Sequence, residues 1–213
     1  MAQALKPSAD AERRMEQALR TKSDPSPRAR ERILETAYDL FSRRGVRDVG
    51  IDEVIAGAGV AKATLYRHFP SKDDLVLAFL AQREQRWTHE WLETEARRRG
   101  ATPEEQLLAI FDVFQGWFER DDFEACSFIN VLLEMGTDHS AGNACVGYLE
   151  NIRTIVSGLA EEAGLRDTAA FARSYHILMK GSIVAAAEGD AEAARRGQSM
   201  ARLLIAEHRP AGA

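Results

Sequence analysis

The stretch from Gly50 to Lys72 decides the fold, and it reads GIDEVIAGAGVAKATLYRHFPSK. Apolar residues recur at three- and four-residue spacing from Ile51 to Ala58, which predicts a short amphipathic helix. Gly59 follows and supplies the backbone freedom of a tight turn. A second short helix is predicted from Ala61 to Phe69. It ends there because Pro70 disfavours the helical region for the residue before it. Two short helices joined by a glycine-containing turn outline a helix-turn-helix.

The second of these helices has two chemically different faces. Leu65 and Phe69 lie one turn apart and are expected to anchor the helix to a small core. The opposite arc carries small, hydroxyl, basic and aromatic groups, namely Lys62, Ala63, Thr64, Tyr66, Arg67 and His68. Such groups suit a DNA major groove, because Arg and Lys bond guanine edges and Thr, Tyr, His and Lys bond phosphates. The alternative is a solvated face on an ordinary three-helix unit, since short motifs also occur without the function.

Residues 28–80 resemble the N-terminal domain of the TetR family of transcriptional regulators. Three segments carry the resemblance: RxRILxxAxxLFxxxG from Arg30 to Gly45, AGVxKxTLYxHF from Ala58 to Phe69, and SKxxL from Ser71 to Leu75. They occur in the order and spacing that the family has. Together they are far more specific than any one of them alone.

The resemblance and the side-chain chemistry together suggest roles for the residues that would face DNA. The expected base-reading residues are Lys62, Ala63, Thr64 and Arg67. The expected phosphate-binding residues are Thr64, Tyr66, His68 and Lys72. Arg67 is the strongest candidate for base reading, because a guanidinium can bond guanine bidentately. The resemblance implies a homodimer that binds a double-stranded, near-palindromic operator, and the expected action is repression.

The sequence departs from the family pattern in the first helix of the motif. Gly50 stands where relatives usually have a threonine, whose hydroxyl caps the helix and often meets a phosphate. The glycine costs roughly a few tenths of a kcal/mol against a serine or threonine cap, but the phosphate contact is lost. Asp52 is acidic where some relatives carry a base-reading residue, so it is expected to repel phosphate or to accept a bond from cytosine N4. Ile55 replaces a customary small residue, so wider local packing is expected.

Charge is distributed unevenly along the chain. The 213 residues are 45% hydrophobic and carry a formal net charge of −5. Residues 1–70 hold 13 basic and 10 acidic side chains, whereas the remainder has a net charge of −8. This asymmetry suits a DNA-binding unit attached to an acidic one.

Several classes of protein are not indicated by the sequence. No apolar run is nearly as long as the roughly 20 residues that a membrane span needs, and the N-terminus lacks the apolar core of a signal peptide. Cys126 and Cys145 show neither metal-ligand nor disulfide spacing, so we expect a cytoplasmic protein without metal or cofactor. Catalysis is not expected. Gly57–Thr64 resembles a phosphate loop only superficially, because it lacks the second glycine and no strand precedes it, and His89 lacks the second histidine of HExxH.

Three regions are predicted along the chain. They are a mobile N-terminal extension at 1–27, a helix-turn-helix DNA-binding domain at 28–72, and a helical effector-binding and dimerisation domain at 73–213. We call the second region the head and the third the body. The helix that Ser71 opens is expected to reach about Arg98 and to connect the two. The fold class is predicted to be all-α, with a first helix from Pro27 to Gly45 and body helices over 103–120, 122–135, 139–163, 168–188 and 191–208.

The resemblance implies a small-molecule effector cavity among the central helices of the body. A mostly apolar pocket with a few polar groups is expected. The candidate lining residues are Trp87, Trp91, Phe111, Phe114, Trp117, Phe118, Cys126, Phe128, Ile129, Asn130, Leu132, Tyr148, Ile152, His176 and Met179. Glu134 and Lys180 are further candidates for polar groups. The alternative for each apolar residue is ordinary core packing.

The last two helices are expected to form the dimer interface, because family members pair these helices in a four-helix bundle. Small residues and an apolar stripe support the expectation. The predicted interface residues are Gly181, Ser182, Ala185, Ala194, Ala201, Leu204 and Ile205. The alternative is that both helices only close the core of the monomer.

One further reading of the sequence remains open. The chain could be a helical ligand-binding or adaptor protein whose head has lost sequence-specific DNA binding. This reading is based on Gly50 and Asp52, which depart from the family pattern. Binding to operator DNA, or its absence, would separate the two readings.

Overall fold

The computed structural model describes residues 27–210, and within that range it contains helices and loops but no strand. The predicted all-α class is confirmed. Apart from Pro27, the predicted N-terminal extension at 1–27 lies outside the described residues.

The head is built from three helices. They are α1 (Pro27–Arg44), α2 (Ile51–Ala58) and α3 (Lys62–His68). α2 has its predicted bounds, and α3 is one residue shorter at each end than predicted. Ala61 and Phe69, which flank α3, both have extended backbone angles, and Phe69 precedes Pro70 as the prediction required.

One unbroken helical run joins the head to the body. α4 (Lys72–Arg83) continues through a π-helical segment (Glu84–Glu93) into α5 (Thr94–Arg99), and we call this run the connecting helix. Its length agrees with the predicted end at about Arg98. The π-helical segment was not predicted from the sequence, and it is the part of the run that carries Trp87 and Trp91. Segments of this kind are rare and are often found at functional sites.

Five further helices complete the body. They are α6 (Pro103–Phe118), α7 (Ser127–Met135), α8 (Ser140–Glu162), α9 (Thr168–Ala187) and α10 (Ala193–His208). α8 packs against α7, α9 and α4, while α10 packs against α9 and α6. Between residues 27 and 210, no helix has both the length and the apolar character needed to cross a membrane.

One predicted helix begins later than expected. The prediction was 122–135, but α7 begins at Ser127, so the first five residues of that prediction are wrong. Ala125 adopts a φ of 58°, in the left-handed region, and a right-handed helix cannot continue through it. Phe123 instead turns towards the body and packs edge-on against Trp117, with ring centroids 5.0 Å apart.

Candidate nucleic-acid interface

The turn and a small core fix the geometry of the helix-turn-helix. Gly59 has φ 60° and ψ 43°, a left-handed conformation that glycine adopts without steric cost. The next amide, that of Val60, donates a hydrogen bond to the Ile55 carbonyl at 3.3 Å. Leu65 and Phe69 are buried, as their spacing predicted. Their burial holds α3 with its opposite face turned outward.

The outward face of α3 carries most of the predicted DNA contacts. The exposed members are Lys62, Ala63, Tyr66 and Arg67, whereas Thr64 and His68 are half-buried. Within the described part of the chain, Nε2 of His68 is buried and has no hydrogen-bond partner. Nδ1 is therefore the nitrogen of His68 that is left for a phosphate contact.

Asp52 on α2 reaches across the turn to α3. Its Oδ1 lies 3.3 Å from Nζ of Lys62, and both side chains are well exposed. An exposed ion pair of this kind contributes only about 0–1 kcal/mol, so a DNA phosphate could displace Asp52. In the free protein, however, the carboxylate partly neutralises a residue predicted to enter the groove.

Gly50 has no side chain that could cap α2, but the carboxylate of a neighbouring glutamate binds its backbone amide. Oε1 of Glu53 accepts a hydrogen bond from the Gly50 amide at 3.1 Å. The other oxygen, Oε2, accepts from Nη1 of Arg44 at 2.5 Å. The Arg44 guanidinium holds the pKa of the Glu53 carboxyl below its usual range. These contacts tie the start of α2 to the end of α1, so the head keeps its shape without the missing threonine hydroxyl.

Lys72 lies in the first turn of the connecting helix, directly after α3. Ser71 caps that helix, because its Oγ accepts from the Asp74 amide at 3.1 Å while Asp74 Oδ2 accepts from the Ser71 amide at 3.0 Å. This cap fixes the half-buried Lys72 beside α3. A lysine at a helix N-terminus next to free backbone N–H groups is suited to a phosphate.

Comparison with known proteins agrees with this geometry. Residues 33–79 match the family model described as bacterial regulatory proteins, tetR family. The chain is also similar to a solved TetR-family transcriptional regulator from Streptomyces coelicolor, with 29% identity, a TM-score of 0.77, and coverage of 86% of this chain and 97% of that one. The head of this chain belongs to the TetR family.

Curated relatives match over shorter stretches. The HTH-type transcriptional activator FasR of Mycolicibacterium smegmatis is 33% identical over 99 residues, which cover 46% of this chain and 43% of FasR. The HTH-type transcriptional regulator EthR of Mycobacterium tuberculosis is 40% identical over 48 residues, 22% of each chain. The chain thus spans between 22% and 43% of the length of these curated relatives.

The residues predicted for an effector pocket differ widely in exposure. The buried ones are Trp87, Phe111, Phe114, Trp117, Cys126, Phe128, Ile152, His176 and Met179. The half-buried ones are Trp91, Phe118, Ile129, Leu132 and Tyr148, and Asn130 is exposed. The void that Ile152 and Met179 line between the central helices measures only about 10 Å³. Since that is close to the space one water molecule occupies, side chains fill this part of the interior.

The polar candidates for the pocket have separate environments. Burial, followed by the charges of Lys180 and Arg153, lowers the pKa of His176 to about 3. Burial raises the pKa of the Cys126 thiol. Glu134 does not point into the interior, because its carboxylate accepts hydrogen bonds from backbone amides of the head. It therefore links body and head.

A larger cavity, of about 260 Å³, opens where the head meets the body. It brings together α1, the connecting helix and the loop after α6, and it includes three of the predicted pocket residues, Trp87, Trp91 and Trp117. The polar residues of its lining were not predicted from the sequence. Those residues come from three distant segments, and no local pattern marks them as neighbours.

Some of the residues predicted for the dimer interface are buried within the single chain, and others are accessible on its surface. Four of them, Ser182, Ala194, Ala201 and Ile205, are buried within the single chain. Gly181 is exposed, and Ala185 and Leu204 are half-buried. The large exposed apolar side chains of α9 and α10 are Ile177, Val184, Met200 and Leu203. Met200 and Leu203 belong to the apolar stripe that the sequence indicates on the last helix, whereas Ile177 and Val184 were not predicted.

Proposed function

We propose that this TetR-family chain is a one-component transcriptional repressor. It binds a near-palindromic DNA operator as a homodimer, and a small, largely apolar effector releases it. The observation that carries the proposal is the orientation of α3: buried Leu65 and Phe69 hold it so that Lys62 and Arg67 face outward. A short helix presented in this way fits the major groove.

Each DNA contact has a distinct task in the proposal. Lys62, Ala63, Thr64 and Arg67 read base edges, and the phosphates are bound by Thr64, Tyr66, His68 and Lys72. Base contacts specify sequence, whereas phosphate contacts position the protein and supply salt-dependent affinity. The two sets should therefore respond differently to mutation.

Dimerisation is proposed through α9 and α10. On α9, Ile177, Gly181 and Val184 recur at four- and three-residue steps and are exposed, and on α10 Met200 and Leu203 are 55% and 73% exposed. Contiguous exposed apolar side chains mark protein interaction sites. Twofold pairing there would set two heads one helical turn or more apart along the DNA.

Effector release is proposed to act through the connecting helix. This helix begins beside Lys72 in the head and carries buried residues of the body such as Leu92 and Ala96. A ligand releases DNA only to the extent that it binds the released state more tightly than the DNA-bound state. Tilting of the connecting helix is the expected route, because it would change the spacing of the two heads.

The test is a binding titration against DNA upstream of this protein's own gene, at two salt concentrations, with a random duplex as control. Tight, salt-dependent binding that prefers the upstream DNA would support the proposal. Arg67→Ala should then cost about 1–3 kcal/mol and relax one base preference, whereas Lys72→Ala should weaken binding to all sequences and flatten the salt dependence. Equal losses on both duplexes for Arg67→Ala would contradict its base-reading role.

A ligand-binding or adaptor protein without sequence-specific DNA binding is the second candidate function. The ion pair between Asp52 and Lys62 is the observation in its favour, because it partly neutralises a residue assigned to the groove. Selection from random DNA would decide between the two. Recovery of a palindromic consensus supports the regulator, and failure to enrich any sequence supports the second candidate.

A further inference from the structure

The cavity between head and body has a wall of aromatic rings. Trp87 and Trp91 on the connecting helix and Trp117 at the end of α6 all line it. Their ring centroids lie 5.2–6.2 Å apart, so the three indoles form one continuous apolar surface. Trp91 is the most exposed of the three. A flat apolar group of a ligand could lie against this surface.

Four arginines line the cavity together with the acidic residues Asp39, Asp122 and Glu124. Arg86 donates two hydrogen bonds to Glu35, which lies outside the cavity lining. Arg120 donates two to Asp122. Since both guanidinium groups are already paired with a carboxylate, neither is the natural partner of an additional anion.

Arg83 differs from these two arginines. Among residues 27–210 no carboxylate lies within ion-pairing distance of it, and its Nη1 donates to the neutral hydroxyl of Tyr38 at 2.9 Å. Glu124 is the nearby acid and is engaged by Arg43 at 3.7 Å. Burial raises the pKa of Glu124, while the charges of Arg83 and then Arg43 act to lower it. Arg83 therefore interacts with Glu124 at a distance and not by direct contact. Arg83 is thus a half-buried cation that forms no direct ion pair in an aromatic-walled cavity.

Two polar atoms in the same wall lack hydrogen bonds. Within the described range, Oγ of Ser42 and Nε1 of Trp87 are buried and have no partner, and Trp87 is only 8% exposed. An indole N–H can only donate, and a hydroxyl can donate as well as accept. A buried donor left without an acceptor is costly. Both atoms are covered by the wall itself, so a ligand acceptor reaches them only if side chains of the wall move.

We propose that this cavity binds a small organic carboxylate with an aromatic or alicyclic body. The carboxylate pairs with Arg83, and the apolar body packs against Trp91 and Trp117. Because Tyr38, which accepts a hydrogen bond from Arg83, lies on α1 of the head and Trp117 lies on α6 of the body, such a ligand lies between both parts of the protein. The site lies apart from the filled interior of the body, and the inference does not rest on operator binding.

Calorimetric titration of the full-length free protein, without DNA, tests the inference. The probe is 2-naphthoate, and the matched controls are 2-naphthalenemethanol, which is neutral, and 2-naphthylmethylammonium, which is a cation of similar size. A charge-assisted contact to the carboxylate should make 2-naphthoate bind about tenfold or more tightly than either control. Equal binding of all three, preference for the cation, or no binding of naphthoate at millimolar concentration would overturn the proposal.

Variants locate the binding. Arg83→Gln should weaken 2-naphthoate binding about tenfold or more, and Arg83→Lys should recover part of it because the charge is kept. Arg97→Gln removes the same charge from the body, where Arg97 pairs with Glu162, and should leave binding unchanged. If Arg83→Gln binds naphthoate as wild type does, the site is elsewhere. The unfolding midpoints of the variants show whether a loss of binding comes from misfolding. If Arg83→Gln is misfolded, binding by Arg83→Lys decides whether the charge matters.

Discussion

Glu134, at the end of α7 in the body, accepts a hydrogen bond from the backbone amide of Arg47 in the head at 2.5 Å. Its second oxygen accepts from the amide of Val46 at 3.3 Å. Both amides belong to the loop between α1 and α2. One carboxylate therefore joins the body directly to the start of the helix-turn-helix, by a route separate from the connecting helix.

Glu134→Gln should loosen this link. The amide keeps one acceptor oxygen but loses the charge that strengthens both hydrogen bonds, so we expect a loss of about 1–2 kcal/mol in local stability. Hydrogen exchange at the Val46 and Arg47 amides should speed up roughly tenfold. The control is Glu31→Gln, which removes the same charge from an exposed position on α1. Unchanged protection of the two amides in Glu134→Gln would mean that the link adds nothing to the stability of the loop.

Asp52→Asn should strengthen DNA binding. The change removes a negative charge next to the groove-facing helix and frees Lys62, so we expect a gain of about threefold to tenfold in affinity at low salt that shrinks as salt rises. Asp48→Asn is the matched control, because Asp48 is exposed in the head and forms no ion pair with Lys62. Equal gains from both variants would show that only net charge matters. Weaker binding of Asp52→Asn would indicate that Asp52 itself contacts a base.

Leu203→Glu should convert the proposed dimer to monomers. A glutamate in the centre of an apolar interface between α9 and α10 would bury an unpaired charge. Sedimentation should then report the mass of one chain, and affinity for a palindromic operator should fall sharply. Leu133→Glu makes the same change at a residue that is 79% exposed on α7, and it should remain dimeric. Monomers in both variants, or dimers in both, would argue against this interface.

His176 should make stability depend on pH. Burial, Lys180 and Arg153 lower its pKa in the folded protein to about 3, whereas an unfolded histidine has an ordinary pKa of about 6.5. Between these values the unfolded chain binds the proton and the folded chain does not. The free energy of unfolding should therefore fall by up to about 1.4 kcal/mol for each pH unit below 6.5, with no contribution from His176 above it.

Denaturant unfolding of wild type and His176→Asn between pH 7 and pH 5 measures this effect. The wild type should lose about 2 kcal/mol more than the variant over that range. The comparison removes the contribution of acidic residues that both proteins share. Parallel pH profiles would mean that His176 takes up its proton in the folded state as readily as in the unfolded one.

Local structure was largely predictable from the sequence. Apolar spacing predicted α2 with the bounds that it has, and proline and glycine marked the ends of α3 and the turn before it. The late start of α7 was missed because Ala125 carries no sequence signal for a left-handed conformation. The π-helical segment was missed because its apolar residues fit an ordinary helical spacing equally well.

The candidate site was predictable only in part. The outward residues of α3 follow from the burial of Leu65 and Phe69, which the sequence indicates by their spacing. The pairing of Asp52 with Lys62 depends on how α2 and α3 cross, so spacing within one helix could not predict it. The roles of these residues towards DNA remain predictions.

The sequence by itself determined that this protein is all-α and carries a helix-turn-helix, because helix periodicity, caps and turns act over a few neighbouring residues. The resemblance of three motifs, and not periodicity, pointed to the TetR family. Only the tertiary structure decided that Glu134 bonds backbone amides of the head instead of lining a pocket. It also decided that Arg83, Trp87 and Ser42 share one cavity wall. Glu134 and Arg47 are 87 positions apart. Contacts of that range depend on how whole helices pack, and packing is set by the sum of many side-chain contacts that no single stretch contains.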